Sequence, residues 1–238
     1  MALDKNSNGY TFGFAIVMVI VVGAVLSIAA IQLKPFQDKN ISQEKMQNIL
    51  YSISVECSRD EAPDLFEKYV TEQVVINSKG EPIEGVKAFD VDVQKQYKEL
   101  KAKAISPEAV EYPLFVCNKD GETIYVVPMV GTGLWGPVWG FISLKSDLNT
   151  IFGATFDHKT ETPGLGAEIK ENSFGNQFKD DVVYTDGKVT IKVIKGGGGA
   201  DDPSGVDGIT GGTITSVGVE EMIQRTFEVY KPYFETIK

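Results

Sequence analysis

The feature that most constrains this chain is an uncharged apolar stretch close to its N-terminus. Residues 11–33 (TFGFAIVMVIVVGAVLSIAAIQL) contain no Asp, Glu, Lys or Arg. At about 1.5 Å of rise per residue, a helix of this length crosses a hydrocarbon core of about 30 Å. A signal peptide is the alternative, but its apolar region is normally about 7–15 residues long. We therefore predict a transmembrane anchor over residues 11–33, preceded by an N-terminal tail over residues 1–10.

The charges that flank this anchor do not fix its orientation. Lys5 precedes it, and Lys34, Lys39 and Lys45 follow it. The excess of positive charge that marks the cytoplasmic side of a membrane protein is therefore not decisive here. We favour a periplasmic location for the remainder of the chain on grounds other than this charge count.

Composition limits what the rest of the chain can do. The formal net charge is −10, and an acidic surface repels nucleic acids and anionic headgroups, so we expect no nucleic-acid binding. Two cysteines and one histidine exclude a four-ligand Cys/His zinc site and a Cys-ligated iron–sulfur cluster. Cys57 and Cys117 both lie in apolar, periodic surroundings. A disulfide is possible outside the cytoplasm, but we favour free thiols.

Periodicity after the anchor is first helical. Apolar residues at helical spacing predict a helix over residues 42–53. Pro63 suits the first turn of a second helix that extends to Tyr69. The charged stretch over residues 93–104 predicts a helix or arm on the surface.

The pattern then changes to strands with tight turns. Asn118–Gly121 and Asp186–Gly187 are hairpin turns between apolar runs, and the glycine-rich residues 196–208 predict a loop. Strands are predicted over residues 114–117, 123–127, 138–144, 150–156, 182–185 and 189–194. The predicted fold class is α+β, a mainly antiparallel sheet with flanking helices, preceded by one transmembrane helix.

Three short patterns suggest common sites, and each lacks a necessary part. Residues 131–136 (GTGLWG) match G-x-G-x-x-G, but Pro137 and a strand follow where a dinucleotide site needs a helix. The aspartates at 201, 202 and 207 lack the terminal glutamate of an EF-hand. His158 is the single histidine, so no multi-histidine metal site is available. We predict no metal site.

The segment over residues 207–216 (DGITGGTITS) leads directly into apolar residues at helical spacing. Free backbone N–H groups and the positive end of the helix dipole suit such a place to a phosphate, and glycines let the backbone approach it. An ordinary N-cap after a turn is the alternative explanation. The residues alone do not decide between a phosphate site and an ordinary N-cap.

This segment resembles the motif Asp-x-x-(Ser/Thr)-Gly-Ala-Thr-x-(Ser/Thr) of FMN-binding domains. In that family a flavin transferase joins the last threonine to FMN through a phosphoester. Here the motif begins at Asp207 and ends at Thr215, with Gly212 in place of the usual alanine. Residues 161–166 (ETPGLG) after His158, and residues 133–136 (GLWG), also resemble the C subunit of the sodium-translocating NADH:quinone oxidoreductase. With the anchor, the resemblance covers nearly the whole chain.

The resemblance implies a site within an FMN-binding domain over residues 111–238, which follows a linker-proximal helical and strand region over residues 34–110. Thr215 would carry the phosphate, and Asp207 would be recognised by the transferase or be a simple turn residue. Leu165 and Trp135 would border the isoalloxazine ring, with core packing as the alternative for Trp135. Lys195 would supply positive charge, with a solvated strand face as the alternative. The remaining implied contacts are Thr210, Gly211, Gly212, Thr213, Glu161, Thr162 and Gly164.

The implied function is that of an electron carrier with covalent FMN and no independent catalytic residue. Its partners would be the other subunits of the membrane complex, and the flavin transferase during maturation. The location would be the bacterial inner membrane, crossed once, with the soluble domain in the periplasm. Two alternative functions remain. The G subunit of an Rnf-type complex shares the motif and the anchor, and a free sensory or flavin-binding module would bind flavin without stable partners.

A pilin-like structural protein is a further alternative. Residues 9–12 (GYTF) resemble the start of a mature type IV pilin, but Phe14 stands where the pilin has a glutamate.

Overall fold

The computed structural model describes residues 7–202 and 204–238, so residues 1–6 of the predicted tail lie outside the described part. Contacts divide the chain into two units between Glu44 and Lys45. Helix α1 (Asn8–Ser52) contains the apolar stretch, and by length and composition it could cross a membrane. The separate helix predicted over residues 42–53 is instead the C-terminal part of α1. The sequence between Pro35 and residue 42 has neither glycine nor proline, so nothing there ends the helix.

The unit that begins at Lys45 combines helices with five longer and four short β-strands among its described residues. Its helices are α2 (Ala62–Tyr69), α3 (Val93–Lys101), α4 (Asn172–Gly175) and α5 (Thr213–Ile237). Its longer strands are β1 (Val70–Ile76), β2 (Tyr112–Lys119), β3 (Glu122–Thr132), β4 (Pro137–Leu144) and β5 (Ile151–His158). Its short strands are β6 (Tyr184–Thr185), β7 (Lys188–Val189), β8 (Lys192–Ile194) and β9 (Gly205–Asp207).

The five longer strands form one sheet in chain order, and every neighbouring pair is antiparallel. This confirms the predicted α+β class with a mainly antiparallel sheet. Asp120 and Gly121 join β2 to β3 with φ of 53° and 85°, the left-handed conformation that a two-residue hairpin turn requires. The predicted domain boundary lies between residues 110 and 111. Strand β1 precedes this boundary and β2 follows it, and the two strands pair within the same sheet.

Three local predictions need correction, and strand β1 is missing from the predictions. Helix α3 ends at Lys101, short of residue 104, and Lys103 has a positive φ of 56°. The predicted strand over residues 189–194 is divided between β7 and β8. Residues 196–208, which were predicted as a loop, include strand β9. Within this range, Pro203 lies outside the described residues. Strand β9 pairs in parallel with β8. Because its partner strand lies elsewhere in the chain, the residues around β9 show no strand pattern of their own.

The sheet is covered on both faces. One face packs against α5 through Val219, Met222, Ile223, Phe227 and Tyr230, and the other packs against Ile49, Leu50, Ile53 and Phe66. Two glycines let α5 approach the end of β3. A Cβ at Gly131 would lie 2.8 Å from Met222 Cβ, and a Cβ at Gly218 would collide with the Thr132 carbonyl. This close packing holds the N-terminus of α5 beside the β3–β4 turn.

Candidate functional site

A cleft of about 210 Å³ lies where three segments meet: the β3–β4 turn, the segment after β5, and the N-terminus of α5. Its lining residues are Leu134, Glu161, Thr162, Leu165, Gly166, Gly211, Gly212, Thr213, Ile214 and Thr215. Of these described residues, Glu161 is the only ionisable one. The cleft is therefore a small, largely apolar site with one carboxyl group.

The N-terminus of α5 contributes hydrogen-bond donors to this cleft. The helix begins at Thr213 after Gly212, and no side chain caps it. Its first turn contains no acidic residue. The first N–H groups of a helix have no acceptor within the helix, and the dipole places partial positive charge there. Gly211 precedes this end with φ of 75°, which a glycine adopts without strain.

A buried hydrogen bond joins the helix to the segment after β5. The Thr215 hydroxyl donates to Glu161 Oε2 over 2.6 Å, and the two side chains are only 1% and 5% exposed. The other carboxyl oxygen, Oε1, accepts the Trp135 backbone N–H over 2.8 Å. Both oxygens of Glu161 therefore have a hydrogen-bond partner inside the protein.

Two glycines provide the space for this pair. A Cβ at Gly133 would lie 2.6 Å from Glu161 Oε1. A Cβ at Gly166 would lie 2.6 Å from Glu161 Oε2 and would also collide with Thr215 Oγ. Since a side chain at either place would displace the carboxylate, the backbone here is shaped around Glu161 and Thr215.

The mouth of the cleft is apolar and exposed. Leu134, Trp135, Leu165 and Ile214 are 49%, 65%, 41% and 58% exposed. In the described residues from Lys45 onwards, few other large apolar side chains are as open as these. A concentration of exposed apolar surface on a soluble unit indicates a ligand or partner site.

The structure brings together seven of the predicted site residues, since Thr215, Thr213, Gly212, Gly211, Leu165, Thr162 and Glu161 all line the cleft. Trp135 lies at its edge and reaches Glu161 through its backbone N–H. Sequence reasoning did not select Leu134, Gly166 and Ile214, which also line it. The first two lie inside the quoted GLWG and ETPGLG segments, and Ile214 lies inside the threonine motif.

Besides Trp135, four predicted residues are not in the lining. Asp207 Oδ1 accepts the Gly199 N–H over 2.7 Å, so this aspartate fixes the loop before β9. The Gly164 N–H donates to Glu168. Thr210 and Lys195 are exposed and have no contact with the cleft lining among the described hydrogen bonds and ion pairs.

Comparison with known proteins identifies this region. The family described as the FMN-binding domain matches residues 133–228, which include the whole cleft. The C subunit of the Na+-translocating NADH-quinone reductase of Vibrio parahaemolyticus is 31% identical, and the match covers 92% of this chain and 90% of that protein. The protein of the same name from Haemophilus ducreyi is 29% identical, with 99% of this chain and 96% of that protein covered.

Solved structures agree with these relatives. The crystal structure of the Na+-translocating NADH-quinone reductase C subunit from Parabacteroides distasonis superposes with a TM-score of 0.75 at 41% identity, covering 85% of this chain and 96% of that one. Shewanella oneidensis NqrC superposes with a TM-score of 0.68 at 25% identity, covering 82% and 98% of the two chains. The chain therefore belongs to the family of C subunits of the Na+-translocating NADH-quinone reductases, which are oxidoreductase complexes, and contains the FMN-binding domain.

Proposed function

We propose that this chain carries FMN joined through its phosphate to Thr215, and that it passes electrons within a sodium-translocating NADH:quinone oxidoreductase. One observation carries the attachment site. Thr215 lines the cleft and lies in the first turn of a helix whose N-terminus has no side-chain cap. A hydroxyl is thus held where the surrounding backbone favours an anion.

The residues of the cleft fit FMN. Backbone N–H groups at the start of α5 can donate to phosphate oxygens, and the helix dipole stabilises such a charge by about 0.3–1 kcal/mol. Gly211 and Gly212 line the cleft beside this helix end, and as glycines they let the backbone approach the phosphate closely. Leu134, Leu165 and Ile214 offer apolar surface to the isoalloxazine ring. Among the lining residues, Glu161 is the one whose side chain, when ionised, would repel the phosphate.

FMN, when bound, supplies the one- and two-electron chemistry that an electron carrier needs. The chain's own residues have three tasks. The first turn of α5 holds the phosphate, the apolar residues at the mouth border the ring, and the exposed edge near Trp135 leaves the ring open to redox partners. Electrons would arrive from an upstream centre and continue to the membrane subunits and quinone.

The remaining parts of the proposal concern location and maturation. Residues 11–33 of α1 would anchor the chain in the inner membrane, with the soluble unit in the periplasm beside the flavin transferase and the other subunits. Asp207 would assist the transferase by fixing the loop that precedes the motif, because its carboxylate accepts the Gly199 N–H. Co-purification with the other subunits tests this assembly, and co-purification with Rnf subunits would contradict it.

The decisive experiment is the intact mass of the full chain after co-expression with a flavin transferase. We expect wild type to gain one FMN less one water, and Thr215→Val to gain nothing. Thr213→Val is the matched control, since Thr213 lines the same cleft but is not the attachment residue. It should keep the covalent flavin, at reduced occupancy if the loop is disturbed. Full in-gel flavin fluorescence of denatured Thr215→Val would rule out this attachment site.

A further inference from the structure

We propose that Glu161 accepts the Thr215 hydroxyl proton when the flavin phosphate is attached, and that it keeps this proton afterwards as a hydrogen-bond donor to the phosphodiester. This inference rests on the proposed attachment at Thr215. It assigns a chemical role to a residue of this chain in a reaction for which the transferase supplies the flavin donor.

The geometry places the base on the reacting atom. Glu161 Oε2 already accepts the Thr215 O–H over 2.6 Å, within the range required of a general base. A carboxylate has the same place in phosphoryl transfer by protein kinases, where it orients the attacking hydroxyl and takes its proton. The contact holds the hydroxyl oxygen against the carboxylate, so the nucleophile is oriented toward its base.

The setting of Glu161 supports a chemical role. None of the ion pairs of the described residues includes it. The groups facing its carboxylate are the Trp135 N–H and the Thr215 hydroxyl, with Gly133 and Gly166 beside them. His158 is bonded to the Glu161 backbone and not to its carboxylate, since its Nδ1 accepts the Glu161 N–H over 3.2 Å. A buried carboxylate without a cation is costly for folding.

A glutamine would satisfy the same contacts at lower cost. Its amide oxygen could accept the Trp135 N–H, and its NH₂ group could donate to Thr215 Oγ. The fold of the cleft therefore does not require an acid at this position. Transfer of a proton does require one.

The reaction balances with a flavin dinucleotide as donor, in which the FMN phosphate is one half of a phosphoanhydride. The Thr215 Oγ–P bond forms, and the P–O bond of the anhydride breaks. Its electron pair leaves on the phosphate of the departing nucleoside monophosphate. The proton of Thr215 moves to Glu161 Oε2. Once protonated, Glu161 no longer repels the phosphodiester, which resolves the conflict of like charges in the cleft.

Rates of attachment test the first half of this proposal. Full-length protein made without the transferase is purified in detergent, mixed with transferase and flavin dinucleotide, and followed by intact mass. We expect Glu161→Gln to lower kcat for attachment about 100-fold with KM for the acceptor protein unchanged, and Glu161→Asp to recover part of the rate. Glu168→Gln is the matched control, because Glu168 accepts the Gly164 N–H in the same segment and should behave as wild type.

Each outcome has a distinct meaning. Attachment to Glu161→Gln at the wild-type kcat, or a raised KM with unchanged kcat, overturns the role as proton acceptor. No mass gain on wild type, or an equal gain on Thr215→Val, instead refutes the proposed attachment.

A spectroscopic measurement on the wild-type protein tests the second half. Carbon-13 NMR of glutamate-labelled protein should show one side-chain carboxyl change from ionised to protonated on attachment at neutral pH. That signal should be missing in Glu161→Asp. An unchanged ionised signal for Glu161 in the flavin-loaded protein would overturn this half.

Discussion

Gly166→Ala is the sharpest test of how the cleft is built. The added Cβ would lie 2.6 Å from Glu161 Oε2 and would also overlap Thr215 Oγ. Both neighbours are buried, so neither side chain can turn into open solvent. Either the backbone over residues 161–166 shifts, or the hydrogen bond between Glu161 and Thr215 breaks.

The two responses have similar costs. Overpacking of a tight site costs about 1–3 kcal/mol, and losing a hydrogen bond to a charged group costs about 1.5–3 kcal/mol. We therefore expect the free energy of unfolding to fall by about 2 kcal/mol. For a unit of this size that lowers Tm by roughly 4–8 °C. Covalent flavin should fall as well, because the nucleophile is displaced.

Gly212→Ala is the matched control for that variant. Its Cβ would lie 3.1 Å from the Gly166 N atom and from Ile209 Cβ, so a shift of a few tenths of an ångström accommodates it. The motif that the chain resembles has alanine at this position. The assay is thermal unfolding of the full chain in detergent, with intact mass after co-expression with the transferase. Wild-type Tm and full flavin loading in Gly166→Ala would refute the description of the cleft as shaped around this pair.

Three other expectations concern the two cysteines and the part of the chain after the anchor. Both thiols are free in the structure, so thiol counting under denaturing, non-reducing conditions should find two, and a count of zero would contradict it. Burial raises the pKa of Cys117 to about 12, so this thiol should resist alkylation in native protein at pH 8, while Cys57 reacts first. Residues 34–238, exported without the anchor, should be soluble, yellow and reducible by dithionite, yet indifferent to NADH. Bleaching of their flavin by NADH at a catalytic rate would make this chain a dehydrogenase in its own right.

Local signals in the sequence predicted the elements whose causes are local. The turn at Asp120 and Gly121, the proline near the start of α2 and the apolar spacing of α5 each act within a few residues. Strand β9 depends on β8, which lies more than ten residues earlier in the chain. Its glycine-rich surroundings therefore indicated a loop, because the strand that stabilises it is not visible in the local sequence.

The site divides in the same way. The threonine motif and the ETPGLG segment each contain residues of the cleft, and each could be found by its pattern. The hydrogen bond that joins them links residues 54 positions apart, and no spacing rule predicts it. Asp207 is the opposite case, a motif residue that lies outside the cleft lining. Its carboxylate accepts the Gly199 N–H. Membership of a motif therefore does not establish contact with a ligand.

The cleft joins a buried end to an open end, and the proposed function needs both. Attachment of a phosphate to Thr215 requires a site without water, because water would compete with the hydroxyl for the activated phosphate. Electron exchange requires the opposite, since another redox centre must come close to the flavin ring. A cofactor held only by an exposed apolar mouth would dissociate easily. The proposed covalent bond at the buried end would prevent that loss, so the exposed side chains of Leu134, Trp135, Leu165 and Ile214 could stay open to redox partners.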